Sequence, residues 1–382
     1  MKLMILDGNS IINRAFYGVR LLSTKDGVYT NAIYGFLNIL ERLRADEHPD
    51  ALCVAFDLKA PTFRHKAYDG YKATRHPMPE ELAMQMPLMK EVLGAMNIPI
   101  YECEGWEADD ILGTVGEICT REGDDCVIVT GDRDSLQLVS EHVTVKLVTS
   151  KAGQTITTNY TPDAFRAEYG FEPVRLVDLK SLMGDSSDNI PGVSGVGPKT
   201  ATQLLLSYGT LDGIYEHLPE IKESVRKKLE RDREQAYLSY DLATIRKNAP
   251  VEFAPERNLV RQVDNDALYA LFHRLEFTRL MSRYNLHAPQ EKAAPQKTTD
   301  VVVMSEAVKP HGERQQEEVG GEERLVNHCP GCLRRFHEGA GCGAGARDCG
   351  KAHKRTLCKL NDRAGPFRNC SRYGGYKLSV LR

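Results

Sequence analysis

The stretch Lys2-Leu3-Met4-Ile5-Leu6-Asp7 decides the fold, because an apolar run of strand length ends directly in an acid. The same form recurs in Val54-Ala55-Phe56-Asp57 and, with two acids, in Val129-Thr130-Gly131-Asp132-Arg133-Asp134. Short apolar runs bounded by turn residues are typical of strands buried within a parallel sheet. These segments therefore predict three strands whose carboxyl ends carry carboxylates.

Working outward, apolar runs alternate with amphipathic stretches through the first half of the chain. The predicted strands are residues 2–6, 51–56, 98–101, 126–130 and 143–148, and the predicted helices between them are 32–44, 80–96 and 108–121. Strands alternating with helices of ten or more residues indicate an α/β fold, with a mostly parallel central sheet flanked by helices. We assign residues 1–160 to this α/β core.

The second half has a helical pattern instead. Predicted helices lie at residues 162–169, 174–183, 199–207, 221–247 and 266–275, so residues 161–288 form a helical region. Residues 289–328 are rich in Lys, Glu, Gln and Pro and are expected to be a flexible linker. The Cys- and Gly-rich basic tail, 329–382, is expected to be disordered or out of frame. Its Cys329-Pro330-Gly331-Cys332 leaves a zinc module open, although no second C-x-x-C follows.

Composition narrows the function classes only partly. The chain of 382 residues has a formal net charge of −3, which argues mildly against nucleic-acid binding, although an acidic centre could coexist with a basic patch. No apolar run is long enough to span a membrane. The N-terminal apolar run is too short for a signal peptide and ends at Asp7. We therefore expect a cytoplasmic protein that makes no membrane contact.

Acidic residues come from five separate segments of the chain. The carboxyl ends of parallel strands lie at one edge of a sheet, and further acids begin a predicted helix and follow residue 184. The candidate metal ligands are Asp7, Asp57, Glu107, Asp109, Asp110, Asp132, Asp134, Asp185 and Asp188. Converging carboxylates need cations to offset their repulsion, and oxygen ligands suit Mg²⁺ or Mn²⁺ better than zinc. Two such ions can bind both reacting oxygens of a phosphodiester. Helix capping is the alternative for single acids, but it explains five segments poorly.

A glycine-rich loop follows directly after Asp188. Its candidate DNA-binding residues are Gly192, Gly195, Gly197, Lys199 and Thr200, and Pro198 suits the first position of a helix. Free N–H groups at a helix start can bind a phosphate oxygen, and Lys199 adds positive charge. The loop resembles a helix–hairpin–helix element that holds duplex backbone, and a purely structural turn is the alternative.

Basic and aromatic residues interleave between Asp57 and residue 80. Arg64, Tyr71, Lys72 and Arg75 belong to this segment, and Arg14, Phe16 and Tyr17 form a smaller group of the same kind after Asp7. Such a mixture is typical of surfaces that bind phosphates and stack bases, with a solvated charged loop as the alternative. Lys72 and Arg75, one helical turn apart, are expected to face the scissile phosphate.

Taken together, these motifs resemble the 5′-nuclease of bacterial DNA polymerase I, a flap endonuclease relative. The resemblance covers residues 1 to about 288 and rests on Leu6-Asp7-Gly8-Asn9-Ser10, Tyr71-Lys72-Ala73-Thr74-Arg75, Glu107-Ala108-Asp109-Asp110 and Gly184-Asp185-Ser186-Ser187-Asp188-Asn189. It implies a PIN-like core, a helical arch at about residues 58–80, and a helix–hairpin–helix at about 185–208 that often binds K⁺. Trp106 stands where this family more often has Tyr.

The resemblance also implies residue roles. Asp7, Asp57, Glu107 and Asp109 would hold a first metal, and Asp110, Asp132, Asp134, Asp185 and Asp188 a second. Arg14, Lys72 and Arg75 would steer the scissile phosphate, with Tyr71 near unpaired bases.

The activity implied by the resemblance is that of a structure-specific 5′→3′ exonuclease and flap endonuclease in replication and repair. We expect a monomer in the bacterial cytoplasm, associated with the nucleoid. Its expected partners are branched or nicked duplex DNA with a 5′ flap or end, and RNA primer ends. Fewer than 100 residues follow the nuclease region, too few for a polymerase. The rival hypotheses are a non-catalytic binder of branched DNA and a phosphohydrolase acting on small esters.

Overall fold

The computed structural model describes residues 1–151 and 154–288. The linker and tail predicted at 289–328 and 329–382 lie outside the described residues, and so does the zinc alternative. Within the described ranges, no helix combines the length and apolar character needed to cross a membrane.

One sheet of six strands forms the centre of the described chain. The strands are β1 Lys2–Asp7, β2 Ala51–Ala55, β3 Ile100–Tyr101, β4 Asp125–Thr130, β5 Val143–Lys151 and β6 Gln154–Tyr160, in the spatial order β3-β2-β1-β4-β5-β6. All neighbours pair in parallel except β5 and β6, which are antiparallel. The mostly parallel α/β sheet is therefore confirmed. The edge strand β6 was not predicted, because its sequence is largely polar.

Helices cover both faces of the sheet and make up most of the second half of the described chain. Their bounds are α1 Gly8–Gly18, α2 Asn31–Glu47, α3 Phe63–Ala67, α4 Glu80–Ala83, α5 Gln85–Ala95, α6 Ala108–Glu122, α7 Pro162–Tyr169, α8 Leu176–Met183, α9 Pro198–Tyr208, α10 Leu211–Glu216, α11 Glu223–Arg231, α12 Arg233–Ala243, α13 Asn265–Arg274 and α14 Thr278–Arg283. Short 3₁₀ turns lie at Asp134–Leu138, Pro173–Arg175, Leu218–Glu220 and Pro255–Asn258.

Several predicted helix boundaries needed correction. Residues 80–96 form two helices, α4 and α5, and residues 221–247 form α11 and α12, which meet at Asp232. The helices α1, α10 and α14 were not predicted. The arch segment is helical only over Phe63–Ala67, and residues 69–74 form turns. Lys72 has a left-handed φ of 55°, so it does not share a helix with Arg75.

The apolar core lies in two main clusters, one on each face of the sheet. Side chains alternate across a strand, so β1 contributes Leu3 and Ile5 to the cluster that contains α6, and Met4 and Leu6 to the cluster that contains α1 and α2. Burial on both faces fixes the register of β1 between β2 and β4. Asp7 consequently lies at the carboxyl edge of the sheet.

Candidate active site

The central strand delivers Asp7 to the edge of the sheet, where it is 6% exposed. Asp7 caps α1, and its Oδ1 accepts a 2.9 Å hydrogen bond from the Ser10 N–H. Its Oδ2 accepts a second bond of 2.8 Å from the Thr130 hydroxyl, at the end of β4. Burial and the neighbouring carboxylates of Asp57 and Asp132 nevertheless raise the pKa of Asp7 to about 7. Asp7 is thus a desolvated carboxylate among like charges.

Asp57 follows β2 and lies beside Asp7. Its Oδ1 accepts a 2.7 Å hydrogen bond from the N–H of Ala108, the first residue of α6. The Asp57 side chain is exposed on one side, but the protein around it removes part of its hydration, and this desolvation raises its pKa. The Ala108 N–H and the charge of Lys72 oppose the shift. Asp57 therefore connects the sheet edge to the start of α6, where three further acids lie.

The start of α6 presents Glu107 and Asp109 on the same side as Asp7. Glu107 is the N-cap residue and is 6% exposed. Asp109 accepts a 3.2 Å hydrogen bond from the Ser135 hydroxyl. Burial raises the pKa of Asp109 well above its usual value, and Asp7 and Asp132 add to the effect. Asp7 and Asp132 therefore act on Asp109 as neighbouring like charges.

A second acidic group surrounds Lys180, a residue that was not singled out from the sequence. Its Nζ forms ion pairs with Asp134, which begins a 3₁₀ turn, and with Asp185, which follows α8. Burial and Asp132 raise the pKa of Asp134 to about 6, even though Lys180 opposes the shift. Burial acts on Asp185 in the same direction, but the bonds from Lys180 and Ser187 outweigh it and lower its pKa. Lys180 therefore links two candidate ligands from distant segments.

Asp188 joins the acidic region to the arch segment. Its Oδ2 lies 3.2 Å from Tyr71 Oη, its backbone carbonyl accepts a 2.8 Å bond from the Lys72 N–H, and its Oδ1 pairs with Arg75. Asn189 adds a 2.7 Å bond from its side-chain amide to the Gly70 carbonyl. These contacts hold the basic residues of the arch segment against the acidic residues that follow α8.

Lys72 points into the acidic region. Its Nζ lies 2.9 Å from Glu107 Oε1. Burial opposes its charge, but the attraction of Glu107 and Asp188 outweighs this and raises the pKa of Lys72. Lys72, Arg75 and Lys180 are thus cations located among the carboxylates. As the side chains lie within residues 1–151 and 154–288, no group of three or more His, Cys, Asp or Glu could hold a metal ion.

Sequence comparison identifies the family to which the chain belongs. Residues 2–170 match the sequence model described as "5'-3' exonuclease, N-terminal resolvase-like domain", and residues 171–266 match "5'-3' exonuclease, C-terminal SAM fold". The chain belongs to the 5′-3′ exonuclease family. The N-terminal domain contains Asp7 through Asp134, and the C-terminal domain contains Asp185 and Asp188.

Curated relatives of this 5′-3′ exonuclease chain are longer proteins. DNA polymerase I of Caldicellulosiruptor bescii is 42% identical over 301 residues, which cover 79% of this chain and 35% of the relative. DNA polymerase I of Bacillus caldotenax is 44% identical over 292 residues, which cover 76% of this chain and 33% of the relative. The chain therefore spans about a third of the length of the curated relatives it matches. The matched portion is the exonuclease portion, which confirms the resemblance stated above.

Solved structures agree on the fold. The bacteriophage T5 flap endonuclease in complex with DNA and metal ions superposes with a TM-score of 0.53 at 19% identity, covering 74% of this chain and 99% of that chain. A zinc-bound T5 5′-exonuclease gives a TM-score of 0.53 at 20% identity, covering 64% and 89% of the two chains. At such identities the likeness establishes a shared fold.

Within the exonuclease fold, Asp110 needs correction as a metal ligand. It is completely buried, and both of its oxygens bind Arg64. Oδ2 also accepts the Glu107 N–H at 3.1 Å and Oδ1 accepts the Arg246 N–H at 2.9 Å. Its bonding capacity is used inside the protein, so Asp110 holds the fold together beneath the acidic region.

Two predicted DNA contacts also need correction. Arg64 is 2% exposed, and its remaining bonds run to Glu107 and to the carbonyls of Leu242 and Thr244. Tyr71 is 3% exposed and donates a 3.0 Å hydrogen bond to Glu107 Oε2. Neither side chain is available to a base or a phosphate in this conformation. Both position acidic residues instead.

The glycine loop connects α8 to α9 as expected, with Gly197 as the N-cap and Pro198 as the first helical residue. Gly192 is buried, and a Cβ there would lie 2.2 Å from the Gly184 nitrogen. Its N–H donates to Ser239 Oγ at 3.0 Å. Gly192 therefore packs inside the protein and is not exposed for the direct DNA contact predicted for it. Gly195, Gly197 and Lys199 are exposed and Thr200 is half-buried.

Arg14 lies near Gly131, in a cavity of about 490 Å³ that Tyr17 and Ser150 also line. Its Nη2 donates a long hydrogen bond of 3.4 Å to the Gly131 carbonyl. Tyr17 is 71% exposed and contacts Phe16 edge to face, with ring centroids 5.1 Å apart. Arg14 and Phe16 are half-buried and Tyr17 is exposed, and all three stay predicted substrate contacts.

Proposed function

We propose that this chain is a structure-specific 5′→3′ exonuclease and flap endonuclease that requires divalent cations. The observation that carries the proposal is that acids from five chain segments are linked by hydrogen bonds and ion pairs at and beside the carboxyl edge of one sheet, with cationic side chains among them. Membership of the 5′-3′ exonuclease family supports the same reaction class. Hydrolysis of a phosphodiester explains both the carboxylates and the cationic side chains. The carboxylates would hold the metal ions, and the cationic side chains would attract the polyanionic strand.

The donor set fits divalent cations. The pKa values of Asp7, Asp57, Asp109 and Asp134 are raised, mainly because the surrounding protein desolvates these carboxylates and further because neighbouring carboxylates repel them, and such oxygen donors suit Mg²⁺ or Mn²⁺. We assign Asp7, Asp57, Glu107 and Asp109 to a first cation. We assign Asp132, Asp134, Asp185 and Asp188 to a second, without Asp110. Bound cations would supply charge neutralisation and an activated water.

The chain's own residues would bind and orient the strand. Lys72 and Arg75 lie beside Glu107 and Asp188, where they would move from these carboxylates to the oxygens of the scissile phosphate. Tyr71 holds Glu107 in place by its hydroxyl, and Lys180 orients Asp134 and Asp185. Arg14 would contact the phosphate from the other side.

Duplex binding is assigned to the loop before α9. The exposed Gly195, Gly197 and Lys199 and the first N–H groups of α9 would contact the phosphate backbone without reading bases, as a helix–hairpin–helix does. A K⁺ ion at this loop is part of the proposal. We further propose that the protein acts as a monomer on nicked or flapped DNA and on RNA primer ends, next to the bacterial nucleoid.

Cleavage of an end-labelled duplex with a 5′ flap tests the proposal. Flap-dependent cutting in Mg²⁺ that EDTA abolishes and that falls steeply with salt is expected. Binding without cutting in either Mg²⁺ or Mn²⁺ would support the non-catalytic binder instead. Efficient hydrolysis of small phosphate esters, insensitive to salt, would favour the other rival.

A further inference from the structure

A second aromatic and basic pocket lies on the other side of the buried Arg64–Asp110 pair. Its cavity of about 410 Å³ is lined by Phe63, Lys66, Glu104, Trp106, Arg246 and Asn248, none of which belongs to the acidic region. The volume is within the range of about 300–1,000 Å³ typical of small-ligand sites. The pocket therefore has room for a nucleotide-sized group.

The aromatic wall of this pocket is held in place by the backbone. The Phe63 N–H donates a 3.0 Å hydrogen bond to the carbonyl of Gly105, whose left-handed φ of 83° turns the chain toward Trp106. The Phe63 and Trp106 rings meet edge to face, with centroids 5.4 Å apart. Both side chains are half-buried, so part of each ring remains open to solvent.

Positive charge accompanies the aromatic rings. The Arg246 guanidinium lies 5.5 Å from the centroid of the Phe63 ring and is 40% exposed, with Asp241 as its ion-pair partner. Lys66 is exposed at the rim, and Glu104 contributes an opposing charge. An arginine stacked on an aromatic ring beside a second stacking surface is an arrangement suited to a base with its phosphate.

Arg64 connects the pocket to the acidic region. Its guanidinium carbon lies 4.5 Å from the Phe63 ring centroid, while its Nη1 lies 3.3 Å from Glu107 Oε2. One side chain therefore separates the pocket from a proposed metal ligand. Unpaired nucleotides on the 5′ side of a scissile phosphate at Glu107 would be within reach of the pocket.

We infer that the Phe63–Trp106–Arg246 pocket binds an unpaired nucleotide of the 5′ strand, with the base against the aromatic rings and the phosphate at Arg246 and Lys66. This inference rests on the proposed function and extends it by a binding site for the flap. The phosphate would compete with Asp241 for the Arg246 guanidinium.

The fluorescence of Trp106 can report on occupancy of the pocket, because Trp106 is the only tryptophan in the chain. The full-length protein is titrated, with Ca²⁺ in place of Mg²⁺, with a duplex that carries a short 5′ flap and with the same duplex lacking the flap. Anisotropy of labelled DNA measures saturation independently. The flapped duplex should quench Trp106 fluorescence, and the flapless duplex should bind with little change in it.

Two variants and a matched control complete the test. Phe63→Leu and Arg246→Gln should each weaken binding of the flapped duplex roughly tenfold and leave binding of the flapless duplex unchanged. Arg274→Gln, which removes a comparably exposed ion pair with Glu91, should change neither. Thermal melting verifies that each variant is folded.

Equal quenching by the two duplexes at saturation, or unchanged flap affinity in both variants, would overturn the inference. Cleavage in Mg²⁺ is measured separately. A protein that cuts flaps without flap-dependent quenching lacks this binding site and keeps the proposed function, whereas loss of cutting altogether defeats the proposed function itself.

Discussion

Arg64 and Asp110 form a two-bond ion pair in the interior, with Arg64 Nη1 2.7 Å from Asp110 Oδ2 and Nη2 2.8 Å from Oδ1. Their side chains are 3% and 0% exposed. The pair connects the arch segment to the first turn of α6, directly beneath Glu107. It therefore supports the acidic region without belonging to it.

Asp110→Ala should destabilise the protein, because it leaves the Arg64 charge buried without its partner. Breaking a buried pair on one side costs about 3–5 kcal/mol of unfolding free energy. Urea denaturation measures the loss. Glu91→Ala removes an exposed ion pair with Arg274 and should cost about 1 kcal/mol or less. An Asp110→Ala protein as stable as the wild type, yet unable to cut, would restore Asp110 as a metal ligand.

Lys72→Ala should slow flap cleavage by about two to three orders of magnitude, with a much smaller effect on flap binding. The reason is that a positive group aimed at the scissile phosphate acts mainly on the transition state. Single-turnover cleavage and DNA anisotropy separate the two effects. Lys247→Ala, from an exposed pair with Glu117, is the matched control. Equal losses in binding and cleavage would contradict this, because they would show that Lys72 contributes only to DNA binding.

The metal-free protein should lose stability as the pH rises from about 4 to about 7. Asp7 and Asp134 have pKa values raised to about 7 and about 6 from 3.8, so the folded state retains protons that the unfolded state has released. The unfolding free energy then falls with pH across that window, by on the order of a few kcal/mol.

Thermal melting in EDTA across this pH range tests that prediction. Asp7→Asn should flatten the slope, and Mg²⁺ should raise the melting temperature more at pH 8 than at pH 5, where protons compete for the carboxylates. Rising stability of the EDTA-treated protein across the same window would show that the acidic residues are separately neutralised and do not form one site.

Lys199→Ala should weaken duplex binding and reduce the slope of log affinity against log salt by about one unit, because one phosphate contact is lost. Lys2→Ala is the control, since Lys2 lies at the opposite end of β1 from Asp7. Titrations at several salt concentrations measure both slopes. An unchanged slope in Lys199→Ala would remove the loop before α9 from the duplex interface.

The sequence could predict those features that have a local signature. Asp7 and Asp57 directly follow buried apolar runs, Asp132 follows another after one glycine, and a parallel sheet brings such positions together whatever the intervening chain does. The start of α9 was equally visible, because Pro198 suits the first turn of a helix. Five of the six strands and most helices were recovered for this reason.

Some of the remaining features depend on pairs of residues far apart in sequence. Arg64 stands among polar residues and resembles a surface cation, but its partner Asp110 is 46 positions away. Lys180 likewise meets Asp134 only in the folded chain.

The helix α1 begins with Gly8-Asn9-Ser10, which resembles a loop until Asp7 caps it. The strand β6 is polar because it lies at an edge of the sheet.

Cleavage of an end-labelled 5′-flap duplex by the wild type and by Asp57→Asn most directly tests the central claim, that the acids at the carboxyl edge of the sheet form a divalent-cation nuclease site. The account predicts flap-specific cutting by the wild type in Mg²⁺, none in EDTA, and none by a folded Asp57→Asn protein that still binds the flap. Undiminished cutting by Asp57→Asn, or by the wild type in EDTA, would contradict it.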